Sequence, residues 1–240
     1  MFNQKNRYYF THTSILTSDV CEFYKYVCLK CISVGMMDLR WQHPFTAVVA
    51  GPTGCGKTEW VFKFIANREF MINPAPVSIV YSYGEWQPSF KRFSHQVEFV
   101  EGFPELPERS DNPLLLIIDD QMDKTGQKVS NLFTKGSHHR NISVIYIVQN
   151  LFDKNSVHRT ISLNAHYIVA FKNPRDKSQI VHLAKQLNPG NIRYVHESFI
   201  LATEKAHGYL VIDLKQSTPE NLRYRSHIFP GETQRVYVPA

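Results

Sequence analysis

"FTAVVAGPTGCGKTEWVFKFIANREF", residues 45 to 70, decides the fold of this chain. It opens on a short apolar run, 45 to 50, that stops at Gly51. An apolar run of that length, bounded by glycine, reads as a strand buried on both faces. The stretch closes on 57 to 70, where Trp60, Val61, Phe64 and Ile65 fall at helical spacing. Between them, Gly51-Pro52-Thr53-Gly54-Cys55-Gly56-Lys57-Thr58 matches G-x-x-x-x-G-K-[ST]. The glycines let the backbone curl until successive N–H groups point inward. The resulting nest suits phosphate oxygens and is reinforced by the positive end of the following helix. In that reading Lys57 reaches the β- and γ-phosphates, and Thr58 offers its hydroxyl to Mg²⁺. Cys55 fills a variable position. Such a match arises by chance in on the order of one in a hundred chains of this length. The strand before it and the helix after it make a fortuitous glycine turn the poorer reading.

Outward from this unit the pattern repeats. "VSIVYSY" (77–83), "LLLIIDD" (114–120), "ISVIYIVQ" (142–149) and "HYIVAF" (166–171) read as strands. A helix carrying Ile180, Val181, Leu183, Ala184 and Leu187 is expected after Pro174. "YLVIDL" (209–214) and "LRYRSHIF" (222–229) read as late strands. Continuous apolar strands separated by helices predict an α/β fold: a mainly parallel sheet with helices on both faces and extra C-terminal strands. In such sheets ligands sit at the carboxyl ends of the strands. The polar residues that end the runs are therefore the ones that matter.

Asp119 ends its strand where it can hold Mg²⁺ through water. Asp120, directly after it, is placed to polarise an attacking water; a helix N-cap is its alternative role. Gln149 ends the next strand and can sense the γ-phosphate or orient the water. The order of glycine-loop strand, acidic strand and polar-ended strand predicts an additional strand between the first and third. That is the sheet of the hydrolytic, RecA-like (ASCE) division of P-loop NTPases. Arg140, just before the Gln149 strand, is the candidate arginine finger on a neighbour's nucleotide, with Arg159 and Arg175 as rivals and a plain solvent-facing cation as the alternative. His138 and His139 read as solvated surface residues.

Bulk properties set wider limits. The 240 residues carry 43% hydrophobic and 20% charged side chains, which excludes a disordered chain, and a formal net charge of +6, a weak pointer to a polyanion. No run approaches the roughly 20 apolar residues of a spanning helix, so no membrane partner is expected. Cys28-x-x-Cys31 lacks the second Cys/His pair of a zinc site, and the cysteines read as free thiols. Residues 1–36 have no clear period and read as an N-terminal extension of unclear status; 37–240 read as a single P-loop ATPase domain.

"GPTGCGKT", "LLLIIDD", "RNISVIYIVQN" and "FKNPRDKSQIVHLAKQLNP", with "GYLVIDLKQSTPENLRYRSHIFPGE" further on, resemble the viral DNA-packaging ATPases of the FtsK–HerA superfamily, in the branch of poxviruses, other large DNA viruses and polinton- or adintovirus-like elements. The resemblance covers about residues 38 to 233, and the block from 141 to 189 is its specific part. It implies an ATPase that uses ATP and Mg²⁺, assembles as a homo-oligomeric ring (pentamer or hexamer) and threads double-stranded DNA into a capsid, with capsid proteins as further partners. It implies an intracellular setting, the host nucleus or a cytoplasmic virus factory, and association with the virion. Lys57, Thr58, Asp119, Asp120 and Gln149 fall on the family's nucleotide-site motifs. The chain departs from the wider superfamily at Asp120, where Glu is commoner, and in the register of Arg140 against His138 and His139.

DNA contacts through Lys124, Lys128 and Lys135 compete with a solvated helix face. Other functions remain open at this level: a helicase or DNA pump of a mobile element, a nucleotide kinase or switch, or a protein that only binds nucleotide. No arginine-rich lid of a kinase is evident. If Asp120 activates water, Asp120→Asn abolishes ATP hydrolysis and leaves ATP binding intact. Near-normal turnover in that variant refutes the role.

Overall fold

A computed structural model describes residues 38–119, 122–152 and 156–239, with the side chains at 122–125, 138 and 156 outside that description. The N-terminal extension, Asp120 and the side chains of Lys124 and His138 lie outside the described residues. In chain order the elements begin with β1 (Trp41–Gln42), β2 (Thr46–Ala50), α1 (Lys57–Ala66), α2 (Arg68–Met71), β3 (Ile72–Asn73), β4 (Ser78–Tyr83) and β5 (Glu98–Glu101). They continue with β6 (Leu114–Asp119), α3 (Met122–Asn131), α4 (Ser137–Arg140), β7 (Ile142–Val148), α5 (Ser156–Leu163) and β8 (Tyr167–Phe171). Then come α6 (Ser178–Leu187), α7 (Ile192–Ala202), β9 (Tyr209–Asp213), β10 (Tyr224–Ser226) and β11 (Arg235–Tyr237). A π turn over Leu132–Gly136 joins α3 to α4.

Nine strands form one sheet in the order β11-β10-β9-β8-β2-β7-β6-β4-β5. The six from β8 to β5 are mutually parallel, and β9, β10 and β11 each run antiparallel to the neighbour before them. This is the α/β P-loop NTPase fold expected from the sequence. Successive residues of a strand face opposite sides, and here both sides are apolar. Val49, Tyr81, Ile117, Ile145 and Val169 pack under α1, through Trp60, Val61, Phe62, Phe64 and Ile65. Val48, Leu116, Ile118, Val144 and Tyr146 pack under α3, α5, α6 and α7, through residues such as Val129, Ile161, Leu183 and Val195.

Two expectations change. The additional strand expected between the loop strand and the polar-ended strand is absent among the described residues: β2 pairs directly with β7, from Thr46↔Val144 to Ala50↔Val148. It is β7 itself that is inserted, separating β2 from the acidic strand β6. The late strand expected over 222–229 is only three residues long. His227 adopts a left-handed backbone at φ 54, which ends the extended run. Among the elements that the sequence reading did not name are the edge strand β5, with both glutamates exposed, the helix α5, and the helix α7, whose N-cap Asn191 accepts from the Tyr194 N–H at 3.1 Å.

The antiparallel strands are anchored by a buried ion pair. Arg225 Nη2 donates to Asp213 Oδ2 at 2.8 Å, with the two side chains 2% and 7% exposed. Arg225 Nη1 donates to the Leu39 carbonyl at 3.1 Å, which ties the start of the described chain to β10. Asp213 Oδ1 accepts from the Lys215 N–H and the Thr218 hydroxyl. Removing one partner leaves a buried charge uncompensated. Asp213→Ala should therefore cost about 3–5 kcal/mol in urea unfolding. Glu197→Ala, which breaks the exposed Arg193–Glu197 pair, should cost no more than about 1 kcal/mol. Equal costs would refute the anchoring role.

Candidate nucleotide site

The candidate site lies at the carboxyl end of β2, the central strand. Because Ala50 pairs with Val148 and the Gly51 N–H donates to the Val148 carbonyl at 3.2 Å, Gly51 and Gln149 leave the sheet side by side. Gly54 (φ 79) and Gly56 (φ 103) take left-handed backbone, which glycine adopts without steric cost. Gly56 is also the N-cap of α1 and has no side chain to cap it. The first-turn N–H groups of α1 are thus left to an external acceptor, the arrangement that suits an anion. Lys57 Nζ donates to the carbonyls of Gly51 (2.6 Å) and Pro52 (3.1 Å), which holds the ammonium over the loop. An ammonium has three donors, so one remains for a phosphate oxygen. Thr53, Cys55 and Thr58 complete the loop, and burial pushes the Cys55 thiol up against the pull of Lys57. Cys55 therefore stays a neutral thiol rather than a nucleophile.

The loop is braced from two sides that the motif does not announce. A Cβ added at Gly51 would lie 2.7 Å from Cys55 Sγ and 2.7 Å from Phe171 Cβ. On the other side His207, in the turn between α7 and β9, has its Nδ1 3.1 Å from the Cys55 carbonyl. A carbonyl only accepts, so this nitrogen carries the proton. No spacing rule links residue 207 to residue 55.

Thr58 and Asp119, the two expected cation residues, are brought together by a third. Asp119 is buried at the end of β6. Its Oδ2 accepts a 2.6 Å hydrogen bond from the Tyr81 phenol on β4, and Thr58 lies close to the same phenol. Burial and the adjacent Asp119 charge raise the Tyr81 pKa far above its ordinary value, so it remains a donor. The Thr58 hydroxyl and the Asp119 carboxylate are oxygen ligands of the kind that Mg²⁺ takes. The sequence singled out 77–83 as a strand and gave Tyr81 no chemistry.

The remaining candidates are not gathered at one point. Gln149 is exposed at the strand end, beside Gly51. Arg140 closes α4 at the opposite end of β7, with its carbonyl accepting from Ser110 N–H. Seven strand residues separate Arg140 from Gln149, about 20 Å at the rise of a strand, so Arg140 does not serve the loop of its own chain. Of its rivals, exposed Arg159 lies on α5, while exposed Arg175 follows β8 on the same edge as Gly51. Lys128 stands 5.2 Å over the Phe103 ring, and Lys135 is exposed on the π turn.

No known family profile matches the chain, and no curated protein matches it. Several solved structures share part of its architecture. The genome packaging NTPase B204 of Sulfolobus turreted icosahedral virus 2, in complex with ATPγS, is 14% identical at a TM-score of 0.47, over 82% of this chain and 98% of that one. The cytoplasmic domain of the type VII secretion ATPase EccC of Thermomonospora curvata is 10% identical at 0.47, over 81% of this chain and 25% of that one. The N-terminal domain of zonular occludens toxin from Neisseria meningitidis is 13% identical at 0.35, over 82% and 95%. At these values the likenesses assign neither a family nor a function.

The bracing of Gly51 is testable. The Cys55 sulfur can rotate away from a new methyl group, but Phe171 Cβ is fixed to the backbone of β8. Gly51→Ala should destabilise the chain by about 1–3 kcal/mol and weaken nucleotide binding, measured by thermal melting and by titration with a fluorescent ATP analogue. Unchanged stability and affinity would show that the close approach is not required.

Proposed function

We propose that this chain is an ATP-hydrolysing motor that translocates double-stranded DNA and packages a viral genome into a capsid. The observation that carries the nucleotide reading is the cluster of Lys57, Thr58, Tyr81 and Asp119 oxygen and nitrogen groups beneath an uncapped helix start. Its donor set fits a nucleotide phosphate and Mg²⁺, which would supply charge neutralisation at the transferred phosphoryl group.

Each residue then has a defined task. The backbone N–H groups over Gly54–Thr58 bind the phosphates, and Lys57 neutralises their charge. Thr58 and Asp119 hold the cation. Gln149 orients the attacking water from the neighbouring strand end, and Asp120 accepts its proton. The insertion of β7 between β2 and β6 favours hydrolysis, because it puts the polar end of β7 between the loop and the acidic strand. Arg140, too far from its own loop, suits a finger that serves the adjacent subunit of a ring. On that assignment, turnover requires a ring.

DNA as the substrate rests on the resemblance of "RNISVIYIVQN" and "FKNPRDKSQIVHLAKQLNP" to packaging ATPases, with the positive net charge in support. A ring that moves along DNA grips phosphates rather than bases. Lys128 and Lys135, with exposed Gln127, Asn131 and His139 on the same helical face, offer such a grip.

The deciding measurement is ATP hydrolysis with and without double-stranded DNA, with Lys57→Ala as the control. The expected result is turnover that rises several-fold with DNA and disappears in Lys57→Ala. An assembled ring whose turnover ignores DNA would overturn the motor reading and leave a nucleotide-binding protein.

A further inference from the structure

Tyr81 is completely buried, yet it carries a polar group into the floor of the site. Its ring is fixed by three aromatic neighbours: Phe62 stacks at 5.6 Å, and Phe90 and Phe99 lie at 5.1 and 5.4 Å. Such packing leaves the phenol oxygen one position. From there it reaches Asp119, 2.6 Å away. An ionised carboxylate only accepts, so the phenol donates to Asp119.

This bond has a consequence for a cation. A carboxylate fixed through Oδ2 has its plane and rotation set. Without the phenol, the Asp119 carboxylate loses its support on the β4 side.

We propose that Tyr81 is a positioning residue for the divalent cation of the nucleotide site: its phenol fixes the orientation of Asp119, and so sets how tightly Mg²⁺ is held. The inference rests on the assignment of Thr58 and Asp119 to the cation. Groups that orient a metal's direct ligands typically change its affinity by about 10–100-fold when removed.

The test follows nucleotide binding rather than turnover. A fluorescent ATP analogue is titrated onto wild type, Tyr81→Phe and Lys57→Ala, first with EDTA and then with increasing Mg²⁺. Phenylalanine keeps the ring against Phe62, Phe90 and Phe99 and deletes only the oxygen. The expected result is metal-free affinity within about twofold of wild type and an Mg²⁺ midpoint raised about tenfold or more. A residue that only supports the fold would lower metal-free affinity and melting temperature together and leave the Mg²⁺ midpoint where it was; that result overturns the proposal. A wild type whose affinity ignores Mg²⁺ would overturn the cation assignment itself, which separates the two failures. In an Asp119→Asn background the same substitution should move the midpoint no further, because the phenol acts through that carboxylate; an equal further shift refutes the positioning role.

Discussion

Strand β2 is hydrogen-bonded on both edges, by β7 and β8, and covered on both faces by helices. A strand in that position has no side open to water. Its one polar side chain, Thr46, satisfies its hydroxyl on the Asn164 carbonyl. Polar chemistry is therefore driven to the strand's end, where the chain must also turn sharply into α1. The same constraint acts on β6 and β7. All three strands end in polar groups on one edge of the sheet, and the parallel register makes those ends neighbours.

The quality of the site then depends on what supports those ends. Gly51 is pressed against Phe171 from β8, and the Cys55 carbonyl is held by His207 from the last turn before β9. Asp119 is held by Tyr81, which is locked by an aromatic group spanning α1, β4 and β5. Each support arrives from a different element outside the motif. Such support suits an electrostatic site, since donors fixed in advance need no reorganisation when charge moves. The Arg225–Asp213 pair extends the same logic to the antiparallel end of the sheet, where it fixes the strand that carries the His207 turn into the core.

Much of this was legible beforehand. The residues from Gly51 to Thr58 announce a phosphate nest because glycine alone tolerates the backbone at 54 and 56. Asp119 and Gln149 were legible as polar residues that close apolar runs. The position of β7 was not, because sequence order gives strand identity and direction but not which neighbour a strand selects. The short β10 was hidden for a local reason: nothing in "RYRSHIF" marks His227 as left-handed. Arg140 was read as a finger on a neighbour's nucleotide, and its place at the far end of β7 keeps it away from the loop of its own chain.

By itself, then, the sequence determined the alternation of strands and helices, the phosphate loop and the acidic strand end. All of these are written in contiguous residues, where periodicity and glycine placement act locally. Only the tertiary structure decided that Tyr81 meets Asp119 across 38 residues of chain, and that His207 braces Cys55 across 152. Those contacts depend on strand order and on which side chains share a face once two layers close on the sheet. No local pattern encodes them, because the residues that make them become neighbours only after the core has formed.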